Sequence, residues 1–380
     1  MKTGTCAPDP WFSPGWFLLV VIAVVAGKLP LFGQGCIAIR GGSACPFHGS
    51  ATVAGGQQHV DGGYLMGGDW QVSVGYRWLY SDRHFRGDEE EEERQEFGTE
   101  VVNDSHFFDL SVLYAITPRW SVGATVPFVY SERSSLYEHP GSGRRMSRAS
   151  GIGDVRLGAY AWVLDPVEMP RWNLSLGLGP KFPTGEYDAT DTFYTNNMPI
   201  RGTVDQSIQP GDGGYGFSAE LFGFMELMPR TSGYVQGFYL FNPENENGAS
   251  TTTGRPRRNP HEQVMSITDQ YLGRAGLSYL LWPEWGLTLS LGGRIEGIPV
   301  RDAIGENDGF RRPGYAIAVE PGLSLAKNHW FFNVSAPVAV YRNRQQSVAD
   351  KRWTSDTGIH RHGDAAFADY VITASVSRRF

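Results

Sequence analysis

From Trp70 to Tyr80 the chain alternates with a period of two. Trp70, Val72, Val74, Tyr76, Trp78 and Tyr80 fall on one side, and Gln71, Ser73, Gly75 and Arg77 on the other. That period predicts an extended strand with two unlike faces. The pattern returns in His106–Thr117, Trp120–Tyr130, Gly151–Val163 and Trp172–Phe182. In the second half it returns in Gly214–Leu227, Gly233–Phe241, Gln270–Trp282, Trp285–Gly297, Gly314–Ala326, His329–Tyr341 and Phe367–Phe380. Twelve strands are expected, and the first has aromatic rings at both ends of its apolar face, which is unusual for a face that packs on a protein core.

The connections alternate in length. Short ones are Thr117–Arg119, Leu164–Arg171, Met228–Thr231, Trp282–Trp285 and Ala326–His329, several with a proline suited to a tight turn. Long ones are Ser81–Ser105, Ser131–Ser150, Thr184–Gly213, Asn242–Asp269, Ile298–Pro313 and Arg342–Ala366. A soluble sandwich has no reason to keep its long loops at one end. A transmembrane antiparallel up-and-down β-barrel does: it has short periplasmic turns, long outer loops and aromatic girdles at both interfaces. Closure satisfies every backbone donor and acceptor within lipid. The expected fold is therefore all-β, about 12 strands over 69–380, with Trp70 near the inner interface and Trp78 and Tyr80 near the outer one. The final strand carries Tyr370, Ile372, Ala374 and Val376 in the parity of Phe380, a terminal aromatic like the signal that outer-membrane assembly machinery reads.

Composition sharpens this picture. Of 380 residues 19% are charged and 13% aromatic, with 48 glycines and a net charge of −7. The charged fraction lies below the roughly 25% of soluble proteins, and the acidic balance argues against a nucleic-acid partner. Trp16–Gly27 is one apolar run, too short for a membrane helix, which needs about 20 residues, and it fits a secretory signal. Residues 1–35 are expected to be signal and processing region, with cleavage near Val24-Val25-Ala26. The alternative is cleavage before a lipidated Cys36, although Gly33 stands where that signal wants a leucine-like residue. Residues 36–68 form a Gly-rich periplasmic tail. Cys36 and Cys45 there are a disulfide candidate in an oxidising compartment, or with His48 a metal site. No cofactor is implied.

On the inward faces the expected lumen residues are Arg77, Asp109, Asp154, Arg156, Lys181, Glu220, Arg274, Arg294, Glu296 and Glu320, five basic and five acidic. A balanced wall predicts little ion selectivity; the other reading is that these charges pair across strands and stiffen the wall. A lumen of twelve strands falls between the filled eight-stranded case and open channels of sixteen or more, so side chains or a loop are expected to constrict it. The run Gly87–Glu100 is expected to be solvated and mobile, able to collect cations or repel anions at the mouth. In Arg301–Gly314, Asp302, Glu306 and Asp308 are weak Ca²⁺ candidates, spaced unlike an EF-hand loop.

Three segments, Val122–Tyr130, Gly151–Val163 and Lys181–Asp188, resemble outer-membrane barrel proteins labelled as the meta-pathway of phenol degradation family, which are distantly similar to channels for fatty acids and aromatic hydrocarbons. The residues that carry the resemblance are Pro127, Gly151, Gly153, Asp154, Lys181, Pro183, Thr184 and Gly185. The resemblance implies an exported barrel in the bacterial outer membrane that transports small solutes. The chain departs from the fatty-acid channels in having twelve strands rather than fourteen.

The expected function is a channel or transporter passing small solutes, hydrophobic or aromatic compounds among them, by passive diffusion. The alternative is a structural, adhesive or receptor barrel acting through its long loops. An outer-membrane phospholipase would need His and Ser two residues apart on a strand at the rim, but the single His-x-Ser, His48-Gly49-Ser50, precedes the barrel, so no enzyme is expected. Outer-membrane lipid, a small solute and, through Phe380, the assembly machinery are the expected partners.

Overall fold

The computed structural model describes residues 64–251 and 257–380. The expected signal, Cys36, Cys45, His48 and most of the Gly-rich tail lie outside the described residues.

Twelve wall strands close on themselves. They are β1 Trp70–Ser81, β2 Val102–Ala115, β3 Trp120–Ser135, β4 in two stretches (Arg145–Ile152 and Arg156–Trp162), β5 Trp172–Lys181 and β6 Gly216–Met228. They continue as β7 Thr231–Phe241, β8 Gln270–Trp282, β9 Leu287–Ile298, β10 Gly314–Lys327, β11 in two stretches (Trp330–Ser335 and Val338–Arg344) and β12 Val371–Arg379. Each pairs antiparallel with its sequence neighbours, and β12 returns to β1 in a register running from Gln71↔Arg379 to Leu79↔Val371. The ring has no free edge to pair with another chain.

Alternation decides the faces. Apolar side chains of one parity project outward and stay exposed, among them Leu178 at 63% and Trp120 at 53%. At the short-turn end Trp70, Trp120, Trp172, Trp282 and Trp285 are all exposed, and Tyr130, Tyr215 and Phe217 are exposed toward the long-loop end. The other parity is buried and mostly polar. Where the short-turn end closes, this inner face turns aromatic. Trp162, Phe222 and Phe224 pack with Leu113 and Ala115 around Tyr64 and Leu65, which precede β1 and enter the barrel. The Tyr64 and Trp162 rings meet edge-on at 4.9 Å.

Local chemistry sets the turns. Asn328 and His329 both have positive φ, 53° and 64°, between the paired residues Lys327 and Trp330, which is the two-residue hairpin geometry that follows the strands' twist. The two interrupted strands each have an identifiable cause. Pro337 supplies no donor between the stretches of β11, and the β4 break falls at Gly153-Asp154-Val155.

At the long-loop end the structure departs from three expectations. The connection expected at Ser131–Ser150 is mostly strand: β3 runs to Ser135 and β4 starts at Arg145, so that hairpin stands above the wall. The acidic run is folded rather than mobile. Glu89–Glu90 pairs with Arg83–Arg86, and Arg83, Arg86 and Arg94 neutralise Glu90 and Glu91. In Arg342–Ala366 stands a helix, α1 Val348–Thr357, started by a Ser347/Asp350 capping box and stopped by Gly358 at φ 70°.

Between β4 and β5 the backbones approach closely: a Cβ added at Gly179 would lie 1.8 Å from the Leu157 carbonyl oxygen. Gly179→Ala is expected to destabilise the folded barrel by about 1–3 kcal/mol through overpacking. The check is loss of the fast-migrating unboiled gel band at lower temperature than for the parent.

Candidate functional site

Inward-facing polar positions of β1–β12 form a charged layer above the aromatic floor. Arg274 lies between two acceptors, donating to Gln236 Oε1 at 2.6 Å and Glu320 Oε1 at 3.1 Å. Arg294 donates to Glu296 at 2.8 Å and lies 3.8 Å from Glu320, which also accepts from the Ser335 hydroxyl at 2.8 Å. These groups are almost fully buried, where an ion survives only with its charge paired and its hydrogen bonds made. Elsewhere in the layer aromatic faces take part. The Arg77 guanidinium, 1% exposed, lies 4.7 Å from the Phe107 ring centroid, and Arg156 lies 5.3 Å from that of Phe238. Asp109 sits between Gly75 and Pro127 on the flanking strands, and Glu220 accepts from the Tyr160 hydroxyl at 3.4 Å.

Asp154 and Lys181 belong to a different assembly, built where β4 breaks. Gly153 N–H donates to the Pro127 carbonyl at 2.8 Å. Thr184 Oγ1 donates to the Gly153 carbonyl at 2.8 Å and accepts from Val155 N–H at 2.9 Å. The Asp154 carboxylate accepts from Gly185 N–H at 3.0 Å and, with its other oxygen, from Asp212 N–H at 2.9 Å. Lys181 pairs with the Asp212 carboxylate and stands 4.0 Å from Asp154. Gly185 packs backbone to backbone on Gly211, and a Cβ there would come within 2.7 Å of Gly211 Cα. Residues from β3, β4 and the end of β5 thus meet in one joint that clips the segment leading to β6. That segment carries Asp205 and a single turn, Gln206–Ile208, into the barrel mouth, where Ser207 donates to Asn103 of β2 at 3.1 Å. Beneath it lies a cavity of about 50 Å³ bordered by Phe107, Asp212 and Gln270.

Above it opens a larger vestibule of about 530 Å³. Six arginines border it: Arg94, Arg133, Arg257, Arg312, Arg344 and Arg361. Asp205 is their hub. It accepts both forks of Arg312 at 2.7 and 2.8 Å, lies 3.6 Å from Arg133 and 4.0 Å from Arg257. Burial pushes the Asp205 carboxyl up, but Arg133, Arg312 and Arg257 together hold it well below the usual carboxylate range. Phe310 receives two guanidinium groups, Arg257 at 3.8 Å and Arg312 at 4.6 Å from its ring centroid.

The Ca²⁺ candidates do not converge. Asp302 pairs with Arg311 at 2.7 Å, while Glu306 and Asp308 each accept from the Asn245 amide at 3.1 Å and Asp308 pairs with Arg352. His84, Glu91 and Asp364 do bring ligand atoms within 4.8 Å of one another. Arg94 already occupies that place, 2.5 Å from Glu91 and 3.0 Å from Asp364, and His84 Nε2 accepts from Val101 N–H at 2.8 Å. Sequence reading missed the vestibule residues Asp205, Arg257, Phe310, Arg312 and Arg344. A signal was present: Phe310-Arg311-Arg312 lies inside the stretch read only for its acids.

Residues 94–222 match the model of the family described as Putative MetA-pathway of phenol degradation, and this span holds all eight residues on which the resemblance was read. Among solved structures, an outer-membrane channel from Pseudomonas putida F1 superposes with a TM-score of 0.55 at 12% identity, over 83% of this chain and 97% of that one. It shares the barrel fold. A toluene transporter of P. putida matches with a TM-score of 0.40 at 13% identity over 82% and 89% of the two chains. A Pseudomonas aeruginosa FadL homologue matches with a TM-score of 0.38 at 9% identity over 92% and 99%. No curated protein matches the chain by sequence.

Asp154→Asn leaves one oxygen for two backbone donors and removes the charge facing Lys181, so it is expected to cost about 1–3 kcal/mol. Limited proteolysis should then cut faster between 205 and 215 than in the parent. Acid should loosen the same mouth. The folded pKa of Asp205 lies below its unfolded value near 3.8, so its stabilisation is complete above about pH 4 and is lost as pH falls toward the folded pKa. Protease sensitivity of the outer loops is expected to rise as pH falls below 4.

Proposed function

We propose that this protein is a channel of the bacterial outer membrane that passes small solutes, hydrophobic or aromatic compounds among them, by passive diffusion. The exposed apolar belt between two aromatic zones suits lipid, and the long loops then face outward with the short turns in the periplasm. One observation carries the reading: the 530 Å³ vestibule opens among the loops directly over a polar barrel interior, rather than on the barrel's outer surface. A vestibule of that size admits a molecule of drug-like dimensions or smaller. The solute then meets the segment at Asp205–Ile208, the charged layer and the aromatic floor in turn. Its passage depends on the motion of a few side chains, of which Trp162 and Tyr64 are the largest at the floor.

The charged layer also supports a second reading. Its ion pairs stiffen the wall as a receptor or adhesive barrel would require, leaving recognition to the folded loops.

Planar bilayers separate the two. A channel gives discrete conductance steps, and Trp162→Ala, which truncates the floor, is expected to raise the step size. Leu178→Ala on the exposed outer face should leave it unchanged. No steps in either parent or Trp162→Ala barrel, with gel mobility showing both folded, would end the channel reading in favour of the receptor.

A further inference from the structure

The arginines of the vestibule outnumber the carboxylates that reach them inside it. Glu138, Asp205, Glu262 and Asp364 border the same space as the six arginines, while from outside that lining Glu91 reaches Arg94 at 2.5 Å and Asp350 reaches Arg361 at 3.3 Å and Arg344 at 3.7 Å, which leaves Arg257 the least well paired of the six. Asp205 alone serves three of these, and Arg312 takes both of its oxygens. Arg257 is left with an ion pair at 4.0 Å and the face of Phe310, and its Nε is buried with no hydrogen-bond partner. Arg344, 2% exposed on the same border, is better held: it lies 3.7 Å from Asp350 and donates to the Pro313 and Arg311 carbonyls, with only its Nε left without a partner. Burial and the neighbouring Arg312 charge make the Arg257 cation easier to deprotonate than an ordinary arginine. Buried donors without acceptors are costly, and a planar carboxylate fits a guanidinium fork by two parallel hydrogen bonds. The rest of the wall is not charged. Val101, Tyr137, Pro140, Ala365 and Ala366 also border the cavity and add apolar surface to it.

We propose that the vestibule is a binding site for a small organic monocarboxylate. Its carboxylate is received by Arg257 in the field of Arg312 and Arg344, and its apolar body lies against the wall of Val101, Pro140 and Ala366. The carboxylate supplies the acceptor that the protein does not provide for the Arg257 fork. The apolar body distinguishes the ligand from an inorganic anion, which would gain nothing from that wall. As the first station of a transport route, the site rests on the channel reading; as a binding site it does not.

Equilibrium titration of the full barrel in detergent with benzoate, benzyl alcohol and inorganic phosphate tests it. Benzoate is expected to bind at least about tenfold more tightly than benzyl alcohol, its neutral counterpart, and than phosphate, with affinity falling as salt rises. Arg257→Gln, which breaks no side-chain hydrogen bond among the described residues, should weaken benzoate by about tenfold or more and leave benzyl alcohol unchanged. Glu138→Gln removes a competing negative charge while keeping an acceptor for Arg133, and should tighten benzoate. Equal affinity for benzoate and benzyl alcohol, equal affinity for phosphate, or an unchanged benzoate affinity in Arg257→Gln would each overturn the proposal. A barrel that conducts but does not bind benzoate defeats this inference alone. A barrel that binds benzoate yet is silent in bilayers upholds the site and defeats the channel reading.

Discussion

A wall strand exposes donors and acceptors along both edges, and in an apolar solvent each one left unmatched costs several kcal/mol. Pairing of β1 with β12 removes the last two edges, and the rest of the molecule follows from that closure. A closed wall has an inside. Parity then sends every second side chain into it, and whatever polar or charged group lies there must find its partner there. Arg274, Arg294, Glu296 and Glu320 come from β8, β9 and β10, and they meet because the strand register puts them at one height. Their pairing is less a source of stability than a condition of burial: breaking one member strands the others, whereas an apolar replacement of the whole set could be neutral.

Two interruptions of the wall give it a mouth. Above the β4 break the upper stretch continues to pair with β3 but no longer with β5, whose last partner there is the Lys181–Arg156 pair. Asp154, in the gap, turns its carboxylate onto two backbone amides from Gly185 and Asp212. One carboxylate therefore joins the strand break, the end of β5 and the approach to β6. Glycines at 153, 185 and 211 are needed because the three backbones lie too close for a Cβ between them. This joint places Asp205 beneath the outer loops, and Asp205 in turn gathers arginines from β3 and from two separate loops. The arrangement of arginines at the mouth is thus tied to the geometry of the wall below.

The wall was legible because alternation is a local property. Each strand declares its own faces, and short turns such as Asn328-His329 declare their own conformation. The loops were legible only in part. Helix α1 carried its start signal in Ser347 and Asp350 and its stop in Gly358, yet the surrounding polar residues read as connection. At 131–150 the alternation persists beyond the expected membrane height, so strand and loop could not be told apart by composition. The acidic run read as mobile because its neutralising partners, Arg83, Arg86 and Arg94, act through folding rather than through spacing.

The amino-acid sequence by itself determined the strand count, which side chains face out and which face in, and the alternation of short and long connections. Each of these depends on neighbours a few positions apart or on a period of two. Only the tertiary structure decided what those inward residues do. Asp154 and Asp212 lie 58 positions apart and Arg133 and Arg312 far more, and no local pattern records that they share a carboxylate or a cavity. Closure brings them together, because in a ring of strands the distance between two residues is set by register and height rather than by separation along the chain.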